Sequence, residues 1–412
     1  MGWEHPGDEG LKRYMKKSPQ AVLFAAVLVD MVGFGIVLPL LPFYAESLGA
    51  SPVEVTLLVA SFSAMQLVAA PFWGRVSDRR GRRPLLVAGL FASAVSYLIF
   101  GLAESLPLLF LSRIAAGAAG GTISVAQAYM ADVTTAEERA RAMGLLGAAS
   151  GLGVMIGPAI GGIFSRWGLG APGFVAAALC AANGVAAVLL LPESRPRSEA
   201  GRGEAATLGG WVRAMTSFPL SLLLGVYFLA ISSFTAMTSV LALYAERAFG
   251  LDPAGMGVVF TLSGGVTVVV RGVLLGWLVR RLGEPRTVRL GAAALSLAIL
   301  LVSLIPNPWL LGLAVPLYAA GAGTLFPVLA SLVSRATDAH SQGSILGGSQ
   351  LVGGLGRVLG PLWAGLLFQH LWIEAPFQVG ALLVAIAFAL AFRIPAPTPK
   401  VAPVEVPSRK AG

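Results

Sequence analysis

The sequence predicts an all-α membrane protein with twelve transmembrane helices, and three observations support that prediction. Of the 412 residues, 56% are hydrophobic and only 12% are charged. Soluble domains carry about 25% charged residues, so most of this surface is expected to face lipid. Apolar runs long enough to cross a bilayer recur along the chain, and clusters of basic residues lie between alternate runs.

The apolar runs form two sets of six. The first set lies near residues 20–46, 54–76, 84–103, 106–131, 139–166 and 171–191, and the second near 217–247, 254–279, 286–305, 308–334, 341–369 and 374–393. The stretch between the sets is rich in proline, glycine and charge, which is typical of a linker. We therefore predict an N-terminal bundle (1–191), a linker (192–212), a C-terminal bundle (213–394) and a tail (395–412).

The basic residues predict the orientation of these helices. Of the 29 Lys and Arg residues, 24 lie in the terminal segments, the linker and the loops on the side of both termini, whereas the opposite loops hold only Arg166 and Arg247. Cytoplasmic loops carry an excess of Lys and Arg. Both termini, the linker and the tail are therefore expected in the cytoplasm, in a multi-pass protein of the cell's inner (plasma) membrane. This topology accounts for the net charge of +9, so no nucleic acid partner is expected.

The two halves resemble each other at an offset of about 200 residues. The segment FYAE at 43–46 recurs as LYAE at 243–246, GRVSDRRG at 74–81 recurs as GWLVRRLG at 276–283, and Gly-Pro at 157–158 recurs at 360–361. Such a parallel repeat predicts two pseudo-symmetric six-helix bundles around a central, membrane-embedded site, with alternating access by rocking of the bundles.

Several motifs carry a specific resemblance. The loop after the second predicted helix reads GRVSDRRGRRP (74–84), the fifth helix contains GLGVMIGPAIGG (151–162), and the first contains DMVGFGIVLPLLP (30–42). Together with Arg113 and Gly117 in the fourth helix, these motifs resemble the major facilitator superfamily, and within it the twelve-helix drug–proton antiporters of the tetracycline-antiporter type. The resemblance covers nearly the whole chain and implies the major facilitator fold and a monomeric exporter.

The resemblance also implies roles for individual residues. In the family, the loop Asp caps the start of helix 11 and the second Arg pairs with an acid that ends helix 4, which here places Asp78 near Ser341–Ser344 and Arg82 near Asp132. The implied conformational latch, which holds the outward-open state, comprises Gly74, Asp78, Arg79, Gly81, Arg82, Arg83 and Asp132. The implied packing residues of the antiporter motif are Gly153, Gly157, Pro158 and Gly161. Tetracycline antiporters carry acids in helices 3 and 9 where this sequence has Ser96 and Leu295, so tetracycline is not expected as the substrate.

Four ionisable residues lie deep in the predicted helices and define the predicted substrate cavity: Asp30, Arg113, Arg271 and Arg357. Charges inside the bilayer are costly and usually serve transport. Asp30 is the only carboxylate at this depth, so we predict that it carries protons with Arg113 as its partner. A structural ion pair that never cycles is the alternative. Three arginines against one acid also suit an anionic or zwitterionic substrate, unless Arg271 and Arg357 extend towards the membrane surface.

The leading functional prediction is a secondary transporter that exports small amphipathic molecules, of the multidrug-resistance type, by proton antiport. Its expected partners are a small-molecule substrate, protons and the lipid bilayer. A transporter of anionic or lipid-like substrates with different coupling is the alternative, and a non-transporting membrane sensor is a third. No enzymatic activity, metal or cofactor is expected, because His5, His340 and His370 form no metal-ligand pair and no nucleotide-binding loop is present.

Overall fold

The computed structural model of the chain describes residues 7–194, 216–336 and 342–395, and these ranges contain helices and no β-strand. Twelve helices within them are long and apolar enough to cross a membrane, which confirms the predicted fold class. Most of the predicted linker and tail lie outside the described residues. The same is true of Ser341 and of the Ser344 side chain, so the predicted approach of Asp78 to Ser341–Ser344 falls outside them as well.

We number the spanning helices α1 to α12 in chain order. Ten of these described helices are α1 (Gly7–Val37), α2 (Pro52–Arg80), α3 (Arg82–Gly101), α5 (Ala136–Phe164), α6 (Ala171–Leu190), α7 (Leu220–Phe249), α9 (Glu284–Leu304), α10 (Leu311–Arg335), α11 (Gln342–His370) and α12 (Ala375–Leu390). The other two are interrupted. Helix α4 consists of Leu106–Ala119 and Thr122–Val133, and α8 consists of Pro253–Val269, the π-helical turn Val270–Leu274 and Leu275–Leu282.

The first predicted helix, 20–46, is two elements in the structure. Helix α1 ends at Val37, and a short helix, Leu41–Ser47, follows it. The helix is interrupted here because Pro39 and Pro42 have no backbone N–H to donate to a regular helical hydrogen bond.

Polar caps start several of the helices. Ser51 and Glu54 form a capping box at the start of α2, in which the Glu54 carboxylate accepts a hydrogen bond of 2.8 Å from the Ser51 backbone N–H. At the start of α8, the Asp252 carboxylate accepts one of 2.8 Å from the Gly255 N–H. Each cap satisfies N–H groups that the first turn of a helix leaves without an internal partner.

The spanning helices pack as two bundles of six. In the first, α1 packs against α5 and α6, α3 against α4 and α6, and α2 against α4. The second repeats this pattern, with α7 against α11 and α12, α9 against α10 and α12, and α8 against α10. The two main contacts between the bundles are α2 with α11 and α5 with α8. We call the end of the molecule that carries the loop between α2 and α3 the basic end, and the other end the opposite end.

The bundles are joined at the opposite end. The Val53 N–H of α2 donates to Gln369 Oε1 of α11 at 3.1 Å. Nearby, Arg247 Nη2 at the end of α7 forms an ion pair of 2.8 Å with Glu46 Oε1 of the short helix. Both contacts cross from one bundle to the other, so this end is closed.

Towards the basic end the bundles separate. On α5, a β-carbon added at Gly151 would lie 3.6 Å from Val268 of α8, but one added at Gly147 or Gly144, one and two turns nearer the basic end, would meet nothing within 4 Å. A β-carbon on Gly74 of α2 would likewise meet nothing within 4 Å. The space between the bundles therefore opens at the basic end.

Within the first bundle, α5 approaches α1 closely. A β-carbon on Gly157 would lie 2.6 Å from the carbonyl oxygen of Val32 and 2.7 Å from Cα of Gly35. These are backbone atoms that cannot move aside independently, so the close packing depends on the missing side chain. Contacts of this kind with α1 involve all four residues of the predicted antiporter motif: Gly153, Gly157, Pro158 and Gly161.

Replacing Gly157 with alanine is therefore expected to lower the free energy of unfolding by about 1–3 kcal/mol, the usual cost of adding a methyl group to a filled interior. The matched control is Gly147→Ala on the same helix, which has room for the methyl group and is expected to raise stability by up to about 1 kcal/mol, because alanine favours a helix more than glycine does. Thermal unfolding of both variants in detergent measures the difference. Equal stability of the two variants would contradict the close α1–α5 packing.

Candidate functional site

Asp30 lies near the middle of the apolar part of α1, which runs from Pro19 to Val37. Its side chain is buried, and Oδ1 accepts a hydrogen bond of 3.2 Å from the Ser93 hydroxyl of α3. Among the described spans it is the only acid that does not lie near a helix end. A carboxyl group at this depth is energetically costly, and such residues usually serve function.

Asp30 borders a small pocket inside the first bundle, with a cavity volume of about 20 Å³. The walls come from α1, α2, α3 and α4, and they combine polar and aromatic groups. The lining residues that bear on the chemistry are Asp30, Phe34, Phe62, Gln66, Ser93 and Tyr97. Phe34 and Phe62 face each other with ring centroids 5.5 Å apart. In this conformation the pocket has room for about one water molecule beside a single carboxyl and two aromatic rings.

Arg113 of α4 is also buried, with 4% of its surface exposed. Its guanidinium lies over the Phe100 ring, 4.9 Å from the centroid, and Nε donates to the Ser112 hydroxyl at 3.3 Å. Nη2 is buried without a hydrogen-bond partner among the described groups. Asp30 and Arg113 both lie in the part of the chain that the structure describes, and they form no ion pair in this conformation. Asp30 pairs with Ser93 instead of the predicted partner.

Arg357 of α11 lies at mid-depth in the second bundle. The glycines that precede it by one turn have different neighbours: Gly354 meets Leu67 of α2, and Gly353 meets the Tyr227 ring of α7. On a helical wheel, Arg357 falls between these two contact faces, on the side of α11 that borders the space between the bundles. Its side chain is half-buried and forms no ion pair with the described residues.

Arg271 lies nearer the basic end, within the π-helical turn Val270–Leu274 of α8. It follows Val268, which faces Gly151 of α5, by one turn. Arg271 therefore stands where α5 and α8 begin to separate, and its side chain is exposed. The structure brings Asp30 and Arg113 into one bundle and places Arg271 and Arg357 in the other.

At the junction of α2 and α3, the central residue is Arg82, the first residue of α3. Its side chain is 8% exposed; Nη2 lies 2.7 Å from Asp78 Oδ1, and Nε lies 3.1 Å from Asp132 Oδ2 at the end of α4. Nη1 also donates to the Ser77 hydroxyl at 2.5 Å. The contact between Arg82 and Asp132 is the one that the motif implies, while its role as a latch stays a prediction. Within the described part of the chain, no hydrogen bond or ion pair joins the implied latch residues Gly74 and Arg79 to the other bundle.

Glu193 was missed by the sequence analysis. Its carboxylate accepts a hydrogen bond of 2.9 Å from the Arg82 N–H and one of 3.3 Å from the Arg83 N–H, and so caps the start of α3. The preceding Gly81 has a φ of +96°, and a β-carbon there would collide with this carboxylate. Acids near a helix N-terminus are stabilising. Glu193 thereby ties the end of the first bundle to the motif loop.

The second bundle carries a charge-reversed counterpart of the Arg82–Asp132 pair. Glu284 begins α9 directly after Gly283, as Arg82 begins α3 directly after Gly81, and Arg335 ends α10 as Asp132 ends α4. Glu284 Oε1 lies 3.4 Å from Arg335 Nη2 and accepts a hydrogen bond of 2.7 Å from the Ser331 hydroxyl. The repeat thus preserves the positions of the two charges and exchanges their signs.

The repeat also brings two acids together at the opposite end. Glu246, which repeats Glu46, lies beside the Glu46 carboxyl, and Arg247 pairs with Glu46 and stacks 5.0 Å from the Phe368 ring. The sequence contained the signal, because a pseudo-two-fold axis between the bundles can place equivalent residues opposite each other.

Two six-helix bundles of the same pattern, ionisable groups at mid-depth and an opening at one end are the architecture of a secondary membrane transporter. The family profile described as Major Facilitator Superfamily matches residues 23–361 and 223–411. The chain belongs to this superfamily, as the motifs predicted.

Curated relatives span nearly its whole length. The chain is 31% identical to Multidrug resistance protein 2 of Bacillus subtilis (strain 168) over 377 residues, which cover 90% of this chain and 93% of the relative. It is 32% identical to the class D Tetracycline resistance protein of Salmonella ordonez over 390 residues, which cover 92% and 98% of the two chains.

Solved structures agree on the fold. The human organic anion transporter MFSD10 (TETRAN) superposes with a TM-score of 0.70 at 25% identity, covering 91% of this chain and 99% of that one. A mutant of the nucleoside transporter NupG superposes with a TM-score of 0.74 at 14% identity, covering 90% and 98%. The second comparison bears on the fold alone.

Proposed function

We propose that this transporter exports small amphipathic molecules in exchange for protons, by alternating access. The observation that supports it most directly is Asp30, a single buried acid at mid-depth that borders a partly aromatic pocket. An ionised Asp30 attracts a substrate that carries a positive charge or hydrogen-bond donors, whereas a protonated Asp30 attracts it less. Proton and substrate then occupy the site alternately, and that is the requirement for exchange.

The direction of export follows from the proposed orientation. If the basic end faces the cytoplasm, as the positive-inside rule predicts, the space between the bundles is open to the cell interior and closed outside by Arg247–Glu46 and Val53–Gln369. This is the conformation that loads substrate from the cytoplasm. Multidrug and tetracycline resistance proteins among the relatives support efflux as the biological role.

The loop between α2 and α3 is proposed to act on this conformational change. While the basic end is open, Asp78 binds Arg82 within its own bundle. When that end closes, Asp78 is proposed to approach the start of α11, where a negative charge is favourable, and to hold the outward-open state. Arg82 and Asp132 keep the loop in position throughout.

The direct test is transport into proteoliposomes with an imposed pH gradient. A panel of cationic, neutral and anionic amphipathic compounds is offered, and the control is the same vesicle with a protonophore that collapses the gradient. Gradient-driven accumulation of at least one compound, lost with the protonophore, is the expected result. If the rate of transport is independent of the pH gradient for every compound, proton antiport is refuted.

A second candidate function, transport of organic anions or zwitterions, rests on Arg357. It is half-buried at mid-depth without an acidic partner among the described residues, and a guanidinium binds carboxylates and phosphates through paired hydrogen bonds. The similar human transporter MFSD10 is an organic anion transporter, which points in the same direction.

Replacing Arg357 with alanine is therefore expected to reduce uptake of anionic compounds by about tenfold, which corresponds to the loss of one charged hydrogen bond, and to spare cationic compounds. The measurement is initial uptake of the same panel into proteoliposomes. Arg280→Ala, an exposed arginine in the last turn of α8, is the control and should leave the whole panel unchanged. Equal loss for anions and cations would assign Arg357 a structural role.

A further inference from the structure

Ser93, Tyr97 and Phe100 follow one another along one face of α3, and the first and last of them contact Asp30 and Arg113. Ser93 donates to Asp30 at 3.2 Å, and the Phe100 ring lies under the Arg113 guanidinium at 4.9 Å. Between them on α3 stands Tyr97, one turn from each. Tyr97 therefore occupies the interval that separates Asp30 from Arg113.

The position of the Tyr97 ring is fixed by α1. A β-carbon on Gly33, one turn after Asp30, would lie 2.8 Å from Tyr97 Cε2 and 3.3 Å from its hydroxyl oxygen. The phenol thus lies directly on the helix that carries Asp30, at the point where that helix has no side chain. The titratable and charged groups nearest to Tyr97 are Asp30 of α1, Arg113 of α4 and the buried thiol of Cys180 of α6.

Two polar groups in this array lack a partner. Tyr97 is 5% exposed and lines the Asp30 pocket, and its hydroxyl forms no hydrogen bond with the described protein groups. Arg113 Nη2 is buried and equally without a partner. Buried polar groups are nearly always hydrogen-bonded, so the unpaired Arg113 N–H indicates a contact that forms in another state of the site, and the Tyr97 hydroxyl, which borders the pocket, is free to supply it.

We propose that the Tyr97 hydroxyl is a positioning residue that connects Arg113 to Asp30 when Asp30 is ionised. A phenol donates one hydrogen bond and accepts others, so it can accept from Arg113 Nη2 while it donates to the Asp30 carboxylate. Protonation of Asp30 removes the negative charge that holds this connection, and the hydroxyl returns to the pocket. The inference rests on the proposed function in one respect, the role of Asp30 as the group that gains and loses the proton.

The proposal predicts a specific effect of removing the hydroxyl. Tyr97→Phe keeps the ring against Gly33 and removes one donor to the ionised carboxylate. Loss of a hydrogen bond to the charged form favours the protonated form, so the pH at which Asp30 is half protonated should rise by about one unit. A purely structural Tyr97 would show no change, because phenylalanine fills the same space.

The experiment is an infrared pH titration of the purified full-length protein in lipid. The carboxylic C=O band of Asp30 is assigned by its absence in Asp30→Asn. Its titration midpoint is then compared in the wild type, in Tyr97→Phe and in the control Tyr129→Phe, another buried tyrosine whose hydroxyl donates to the Pro192 carbonyl at 2.6 Å, away from the pocket.

A midpoint that rises by about one unit in Tyr97→Phe, with Tyr129→Phe unchanged, supports the proposal. An unchanged midpoint in Tyr97→Phe overturns it, as does an equal shift in both variants. The titration does not depend on transport. A shifted midpoint in a protein that transports without regard to the pH gradient would refute proton antiport and leave the Tyr97–Asp30 connection standing.

Discussion

Replacing Asp30 with asparagine is expected to abolish gradient-driven transport completely while the protein still folds. Asparagine has nearly the same shape as aspartate, and its amide oxygen can still accept the hydrogen bond from Ser93. It cannot gain or lose a proton at any working pH. The variant should therefore lose accumulation of substrate against a pH gradient in proteoliposomes, down to the level of vesicles without protein.

Substrate exchange without a gradient separates coupling from general damage. If Asp30 serves only the coupling, Asp30→Asn should still exchange labelled for unlabelled substrate across the vesicle membrane. Asp252→Asn is the matched control, because Asp252 caps α8 outside the pocket and should retain driven transport. Full gradient-driven accumulation by Asp30→Asn would remove the basis for proton carriage by Asp30.

The fold was accessible from the sequence because the bilayer restricts what a chain can do. A segment in lipid must satisfy all its backbone hydrogen bonds internally, so each apolar run of sufficient length has to be a helix. The errors lie where local chemistry interrupts that rule. Pro39 and Pro42 end α1 early, and the π-helical turn Val270–Leu274 widens α8 without a proline or any other clear signal in the sequence.

The candidate site was only partly accessible. A lone acid such as Asp30 in an apolar helix stands out because of its cost, and the loop motif identified the contact of Arg82 with Asp132. Ser93 and Tyr97 gave no such signal, since a hydroxyl among apolar residues is common and its partner depends on how α3 rotates against α1. Glu193 gave no signal for the same reason, because its role as a helix cap depends on N–H groups that are distant in the sequence.

The conformation itself was not predictable from residue types. The glycines Gly144 and Gly147 resemble Gly157 in sequence, yet they face open space while Gly157 faces the backbone of α1. Gly157 is buried within its own bundle, whereas the exposure of Gly144 and Gly147 depends on how the two bundles are tilted, and transporters of this architecture are expected to change that tilt during function. The same sequence must therefore be compatible with both tilts, and residue types alone do not select one of them.

Reversing a single charge in the Arg82–Asp132 pair or in the Glu284–Arg335 pair is expected to destabilise the protein, most strongly at Arg82. Arg82→Glu removes two ion pairs and the hydrogen bond to Ser77 and places a third acid beside Asp78 and Asp132. Since the Arg82 side chain is only 8% exposed, water compensates little, and we expect a loss of about 3 kcal/mol in the free energy of unfolding. Arg335→Glu should cost about 1 kcal/mol, because Arg335 is 61% exposed and its ion pair is screened.

Exchanging both charges of a pair distinguishes the two halves. In the second bundle, Glu284→Arg with Arg335→Glu rebuilds the pair in the sign order of the first bundle, and most of the stability lost in the single variants should return, because contacting residues are energetically coupled. In the first bundle, Arg82→Glu with Asp132→Arg should recover only in part, because Asp78 and Ser77 still face an acid where they had an arginine. Denaturant unfolding in detergent of the two double variants and of the four corresponding single variants, Asp132→Arg and Glu284→Arg included, gives both coupling energies. Equal recovery in the two halves would mean that Asp78 and Ser77 contribute nothing to the position of the Arg82 side chain, which the contact with Asp132 would then hold by itself.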